Sequence, residues 1–399
     1  MAEKLAIDGG TSVRKEKLAT WRVNYGYEEL KEVLEVFENG IFCSIDPAAP
    51  KVPALEKAFA EYVGCEFALA FSSGTTAQHA SLVAAGVGTG DEVIVPPLAF
   101  ASTAYTVFMV GATPVFADVD DNSITLDPAR VAEAITPRTK AIVPVHWFGH
   151  PAAMDEIMAL AREHDLTVIE DCAHGYGAVY KGSNAGTIGA MACWSLQETK
   201  VLTAAGEGGI FTTNDKSLAL MADSMRDHGK DKAYQSKEMA DYNIVRVGNN
   251  YRLSEMHAAF ALAQVRKVDR LQNARKDHAE YMDASLTEIP GLKRPKAEPG
   301  VKLGHAYYPI RFDLDHFTVE LQQISDALTA EGIGNNMSGE VEFSAKYPLF
   351  RENSPPADVP VAERIRRELL LLPLYPDLTQ YDLEDIIAGV SKVAAAYAR

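Results

Sequence analysis

Between about residues 50 and 215 the chain alternates short apolar runs with amphipathic segments, and this alternation constrains the fold more than any other feature. Residues 67–71, 92–96, 113–118, 140–146 and 167–171 are brief and apolar on both faces, as strands covered by helices are. Residues 52–63, 77–85 and 154–163 repeat apolar side chains at helical spacing, and Gly64 stops the first of them. The pattern predicts an α/β domain built on a mostly parallel sheet. After about residue 250 the texture changes. Residues 254–286 read as one long helix with Ser254 as its cap. A strand-like run at 307–312, a helix near 319–331 and a last helix near 383–397 read as a smaller α+β domain. The division expected is 1–265 for a large domain with an N-terminal arm, and 266–399 for a small C-terminal one.

A chain of 399 residues can bury two cores, and its apolar fraction of 47% is ordinary for a soluble globular protein. A formal net charge of -17 argues against a nucleic-acid partner, which would call for a basic face. It leaves room for a local basic pocket. Cys43, Cys65, Cys172 and Cys193 are scattered, with no Cys-x-x-Cys pair, so no disulfide framework or metal site is expected. The first residues carry no apolar signal region, and no run is long and apolar enough to span a membrane. A cytoplasmic protein with no membrane partner is expected.

Four short segments offer chemistry. Ser72-Ser73-Gly74-Thr75-Thr76 links a strand to a helix, so free N–H groups and the helix dipole would favour a phosphate there. A plain helix cap would use the same residues. Asp171 closes an apolar strand, where ligands gather in open α/β sheets, and a buried carboxylate there needs a cationic or hydrogen-bonding partner. A pyridinium N–H is one such partner and an arginine another; His174, three residues on, suits a pocket or a core. Phe100 lies just past a strand end, placed to stack on a flat ring or to pack in the core. Lys200 stands among small, hydroxylic and apolar residues before the cluster Gly206-Glu207-Gly208-Gly209. A Schiff-base lysine needs such a partly desolvated frame; a surface lysine does not. The glycine-rich run at 86–90 follows a helix and precedes a strand, the wrong order for a dinucleotide fingerprint. His146 fits a pocket or a structural role. In combination, the cradle, the acid, the aromatic and the lysine are the parts a pyridoxal phosphate site needs.

These segments carry a resemblance to the DegT/StrS sugar aminotransferases, within the type I pyridoxal phosphate fold. It runs from Leu5-Ala6-Ile7-Asp8-Gly9-Gly10 to the Leu372-Pro373-Leu374-Tyr375 region. Ser73-Gly74-Thr75, Glu170-Asp171-Cys172-Ala173-His174, Ser195 with Lys200, and Asn250-Tyr251-Arg252 are its specific parts. The resemblance implies a pyridoxal 5'-phosphate cofactor. Lys200 would be the Schiff-base lysine and proton carrier, and Asp171 the partner of the pyridine nitrogen. His174 would lie beside the ring, and Phe100 would stack on it. Gly74, Thr75 and Ser195, with Thr76 beside them, would hold the phosphate. Asn250 would reach the phosphate of a neighbouring subunit, making the enzyme a homodimer with shared sites. Gln197 would line the substrate pocket. The implied reaction moves an amino group from glutamate or glutamine to a keto-sugar, often nucleotide-linked, or to a keto-cyclitol. The related sugar dehydratases carry histidine at the lysine position, which Lys200 argues against. A non-catalytic protein of the same fold would lose that lysine first.

Overall fold

Seven strands form the central sheet of the chain in its computed structural model, which describes residues 3–231, 243–337 and 344–399. They are β1 (Phe67–Phe71), β2 (Glu92–Val95), β3 (Thr113–Phe116), β4 (Thr139–Ile142), β5 (Thr167–Asp171), β6 (Met191–Ser195) and β7 (Gly209–Thr213). Their order is β1-β7-β6-β5-β4-β2-β3. From β6 through β5, β4 and β2 to β3 every pairing is parallel. Only β7 runs the other way, antiparallel to both β1 and β6. The sheet is therefore mostly parallel, as the two-faced apolar runs require, and β2 and β7 are buried at every residue. β2 stops at Val95 because Pro96 has no N–H to continue the ladder.

Helices α1 (Tyr27–Asn39), α2 (Lys51–Val63), α3 (Gly74–Ala84) and α4 (Ser102–Met109) belong to this part of the chain. α2 ends at Gly64, which takes a φ of 83° open to glycine at little cost. α3 starts three residues before the apolar spacing predicts. Ser73 caps it, its Oγ accepting from the Thr76 N–H at 3.1 Å, and the first turn is too polar to register as periodicity. A Cβ on Gly209 would lie 2.2 Å from the Ser73 carbonyl, so only glycine lets β7 begin against this turn.

The long helix expected over 254–286 is two helices, Glu255–Arg266 and Val268–Leu286, broken at Lys267. Ser254 caps the first as expected. Lys267 leaves helical geometry at φ -111° and ψ 12°, and its buried ammonium sits 2.6 Å from the fully buried Glu29 carboxylate. Burying that charge requires the pair, and one non-helical residue barely disturbs the apolar repeat, so the break left no mark in the sequence pattern.

Beyond it, Leu292–Lys293, Tyr308–Phe312 and Leu369–Leu372 make an antiparallel sheet. Its core packs Met282, Phe312, Ile324, Leu372 and Ile386 together, and Leu5 and Leu18 from the N-terminal segment join it. Among the described residues no helix is long and apolar enough to cross a membrane.

Candidate active site

Because β1, β2, β4, β5 and β6 point the same way, their C-terminal ends open on one side of the sheet. There they surround a cavity of about 420 Å³. Gly74, Thr75, Phe100, Asp171, His174, Ser195, Gln197 and Lys200, eight of the nominated residues, all line it. This is the crevice where open α/β sheets bind ligands.

At one end is the N-terminus of α3. Ser73 satisfies the Thr76 N–H, while among the described residues no protein group accepts from the N–H of Gly74 or Thr75. Two free donors at a helix N-terminus, with the Ser195 side chain packed within about 3.0 Å of the Gly74 Cβ position, form a seat for an anion. Thr76 takes a different part from the one expected. It does not line the cavity; its hydroxyl donates to the Ser73 carbonyl at 2.9 Å and accepts from the Ser73 N–H at 3.0 Å. It shapes the cradle from behind.

Asp171 ends β5 and is 6% exposed. Its Oδ2 accepts from the Thr103 hydroxyl at 2.8 Å and its Oδ1 from the Ala173 N–H at 3.0 Å. These bonds fix the carboxylate at the cavity wall and leave lone pairs for a further donor. Phe100 is half exposed, at 50%, with its ring at the cavity edge.

Lys200 Nζ lies 3.0 Å from His174 Nε2 and 3.5 Å from the Tyr307 hydroxyl. The Phe148 N–H donates to His174 Nδ1 at 3.3 Å, which places the neutral ring's proton on Nε2, facing the amine. That arrangement suits an uncharged, nucleophilic lysine. Trp147 holds the imidazole by stacking at 4.7 Å, and Phe148 supplies its N–H from a left-handed φ of 56°, a strained conformation of the kind found at functional sites. Gln197 shapes the turn that presents the lysine. Its carbonyl accepts from the Lys200 N–H at 2.9 Å, and its side-chain oxygen accepts from the Thr199 N–H at 2.8 Å.

Asn250 is exposed, beside Asp227, and does not line this cavity. His146 is a brace. Its Nδ1 accepts from the Ala152 N–H, so Nε2 holds a proton and donates to Glu170 at 2.8 Å. Glu170 also accepts from the Gly186, Ile188 and Gly189 N–H groups. Burial alone would raise its pKa; these bonds outweigh burial and hold the carboxyl below the usual range. With its lone pairs so engaged, the cluster of His146, Glu170 and Cys172 has the bonding of a structural unit.

Sequence reasoning missed Tyr307, Thr103 and Trp147. Trp147 follows the extension of β4 as Phe100 follows β2, so the same strand-end logic would have found it. Thr103 sits three residues after Phe100 at the start of α4. Tyr307 comes from the C-terminal part of the chain, and nothing local points it at Lys200.

The donors and walls fit pyridoxal phosphate. The cradle offers unpartnered N–H groups to a phosphate, an acid lines the cavity, and an amine lies next to an imidazole.

Comparison with known proteins agrees with this geometry. The family model described as the DegT/DnrJ/EryC1/StrS aminotransferase family matches residues 24–391. The spore coat polysaccharide biosynthesis protein SpsC of Bacillus subtilis is 37% identical over 376 residues, covering 92% of this chain and 95% of SpsC. The aminotransferase from Psychrobacter cryohalolentis superposes with a TM-score of 0.88 at 30% identity, covering 94% of this chain and 98% of that one. Helicobacter pylori PseC, an aminotransferase involved in the biosynthesis of pseudoaminic acid, gives a TM-score of 0.88 at 26% identity, covering 96% of this chain and 100% of that one.

Proposed function

The chain belongs to the DegT/DnrJ/EryC1/StrS aminotransferase family, and on that premise we propose that it uses pyridoxal 5'-phosphate to aminate a keto-sugar or keto-cyclitol. It is an aminotransferase of the type I fold. The observation that carries the cofactor reading is the Lys200–His174 contact of 3.0 Å in a cavity that Asp171 also lines.

Gly74, Thr75 and Ser195 would hold the phosphate, Asp171 the ring nitrogen, and Phe100 a ring face. When bound, pyridoxal phosphate supplies a carbonyl that condenses with amines and a ring that takes up the electrons of a broken C–H bond. The protein's share is binding, orientation and proton movement. Asp171, oriented by Thr103 and Ala173, presents its carboxyl group where a ring N–H would need an acceptor. Lys200 Nζ takes the proton from the donor's α-carbon and later delivers a proton to the carbon that receives nitrogen. His174 Nε2 keeps the amine's lone pair directed, and Tyr307 Oη offers a second hydrogen-bonding group at 3.5 Å.

Glutamate or glutamine is the proposed donor. The test is a half-reaction: the purified, cofactor-loaded protein mixed with each amino acid in turn. Loss of absorbance near the visible edge with release of the keto acid is expected for at least one of the two. No spectral change with either would overturn the donor assignment. By their descriptions SpsC serves spore coat polysaccharide biosynthesis and PseC the biosynthesis of pseudoaminic acid, which supports a sugar-like acceptor.

The working unit proposed is a cytoplasmic homodimer, and the domain division proposed remains 1–265 and 266–399. α1 supports the dimer. It buries Glu29, Glu32 and Val36 and exposes Tyr27, Leu30, Leu34 and Phe37, which lie on one stripe. A helix with its apolar stripe outward needs a second surface to cover it, and a second copy of this chain would do so. Asn250, exposed outside its own cavity, would then serve the partner's phosphate. Mixing Lys200→Ala and Asn250→Ala proteins, each nearly inactive alone, is expected to restore up to about a quarter of activity by random pairing of subunits. No recovery in mixed dimers would remove Asn250 from the shared site.

A further inference from the structure

Gln78 lines the cavity and is 2% exposed, yet its Nε2 has no hydrogen-bond partner among the described residues. A buried amide N–H left unpaired is costly, and a side chain serving only the fold would be paired within it. Its place in α3 says what it awaits. Gln78 stands three residues after Thr75 and four after Gly74, so all three share one helix face. Helical side chains lean toward the N-terminus, which carries the carboxamide back toward the free N–H groups of Gly74 and Thr75.

We infer that Gln78 is a further anion ligand of the cradle, donating from Nε2 to the phosphate seated at the N-terminus of α3. The inference rests on the cofactor reading above. It makes the cradle deeper than a cap: two backbone donors at the mouth, and a side-chain donor one turn below.

The test uses the full-length protein stripped of cofactor and compares wild type with Gln78→Leu and Gln78→Glu. Binding of pyridoxal phosphate and of pyridoxal, which lacks the phosphate, is followed by quenching of intrinsic fluorescence. Stabilisation by inorganic phosphate is followed by thermal melting. Gln78→Leu is expected to weaken pyridoxal phosphate binding about tenfold, the effect of one hydrogen bond to a charged group, and to leave pyridoxal binding unchanged. Gln78→Glu keeps the shape but opposes the anion, so it is expected to weaken phosphate-dependent binding further and to abolish the phosphate-induced melting shift. Gln78→Met repeats the measurement if leucine disturbs α3. Equal loss for pyridoxal and pyridoxal phosphate, or no loss for either, would overturn the role of Gln78. Failure of the wild type to bind pyridoxal phosphate would overturn the cofactor reading as well, so the two failures are distinguishable.

Discussion

Lys200→Ala is expected to lower turnover on the order of 10⁴-fold, the largest effect of any single substitution in the cavity. The residue is asked to do two things that no neighbour duplicates: bond covalently to the cofactor and carry a proton between carbons. Among the described residues it is the only lysine lining the cavity, and the imidazole beside it is already committed to Phe148 through Nδ1. The variant should still fold, since the turn around residue 200 is held by backbone bonds and by Gln197 rather than by the amine. It should also still bind pyridoxal phosphate, because the cradle is untouched. The expected signature is therefore a protein that holds cofactor reversibly and lacks the covalent band. Methylamine, small enough for the vacated space, should return part of the activity. Turnover within tenfold of wild type would mean that another group carries the proton.

Asp171→Asn is expected to cost on the order of 10³-fold in kcat while leaving the cofactor attached to Lys200. Asparagine preserves volume, its Oδ1 can still accept from the Ala173 N–H, and its Nδ2 can donate to the Thr103 hydroxyl with that bond reversed, so the fold at the end of β5 should survive. What it removes is the negative charge that keeps a ring nitrogen protonated, and with it the electron-accepting power of the ring. The effect should fall on kcat more than on cofactor affinity. Thr103→Val, which deletes one of the two bonds orienting the carboxylate, should give a smaller loss of the same kind, about tenfold. An Asp171→Asn enzyme with normal kcat would place the ring nitrogen elsewhere.

Much of the fold is legible in the sequence. Strands β1 to β5 begin within a residue of where the apolar runs mark them, although β3 ends at Phe116 rather than at 118 and β4 at Ile142 rather than at 146. The errors came where a local bond decided the matter. Ser73 starts α3 early by capping it, and Lys267 breaks the long helix to reach Glu29. Asp171 and Phe100 were marked by their places at or just past strand ends and both line the cavity, while Ser195 was marked by the resemblance alone. The site was not legible where a side chain arrives from far along the chain. Tyr307 lies 107 residues from Lys200, and only the packing of the C-terminal part brings its hydroxyl there. Thr76 shows the converse. A hydroxyl in the right motif is turned toward Ser73 by its own helix start, a choice that depends on geometry rather than on residue type.

The central claim is that Lys200, and no other lysine, takes the cofactor covalently. The direct measurement is to load the purified protein with pyridoxal phosphate, reduce with borohydride, digest, and locate the modified residue by mass spectrometry. The account requires the stable pyridoxyl phosphate adduct on the peptide containing Lys200, and its absence from the Lys200→Ala protein. An adduct on a different lysine, or none at all, would contradict it.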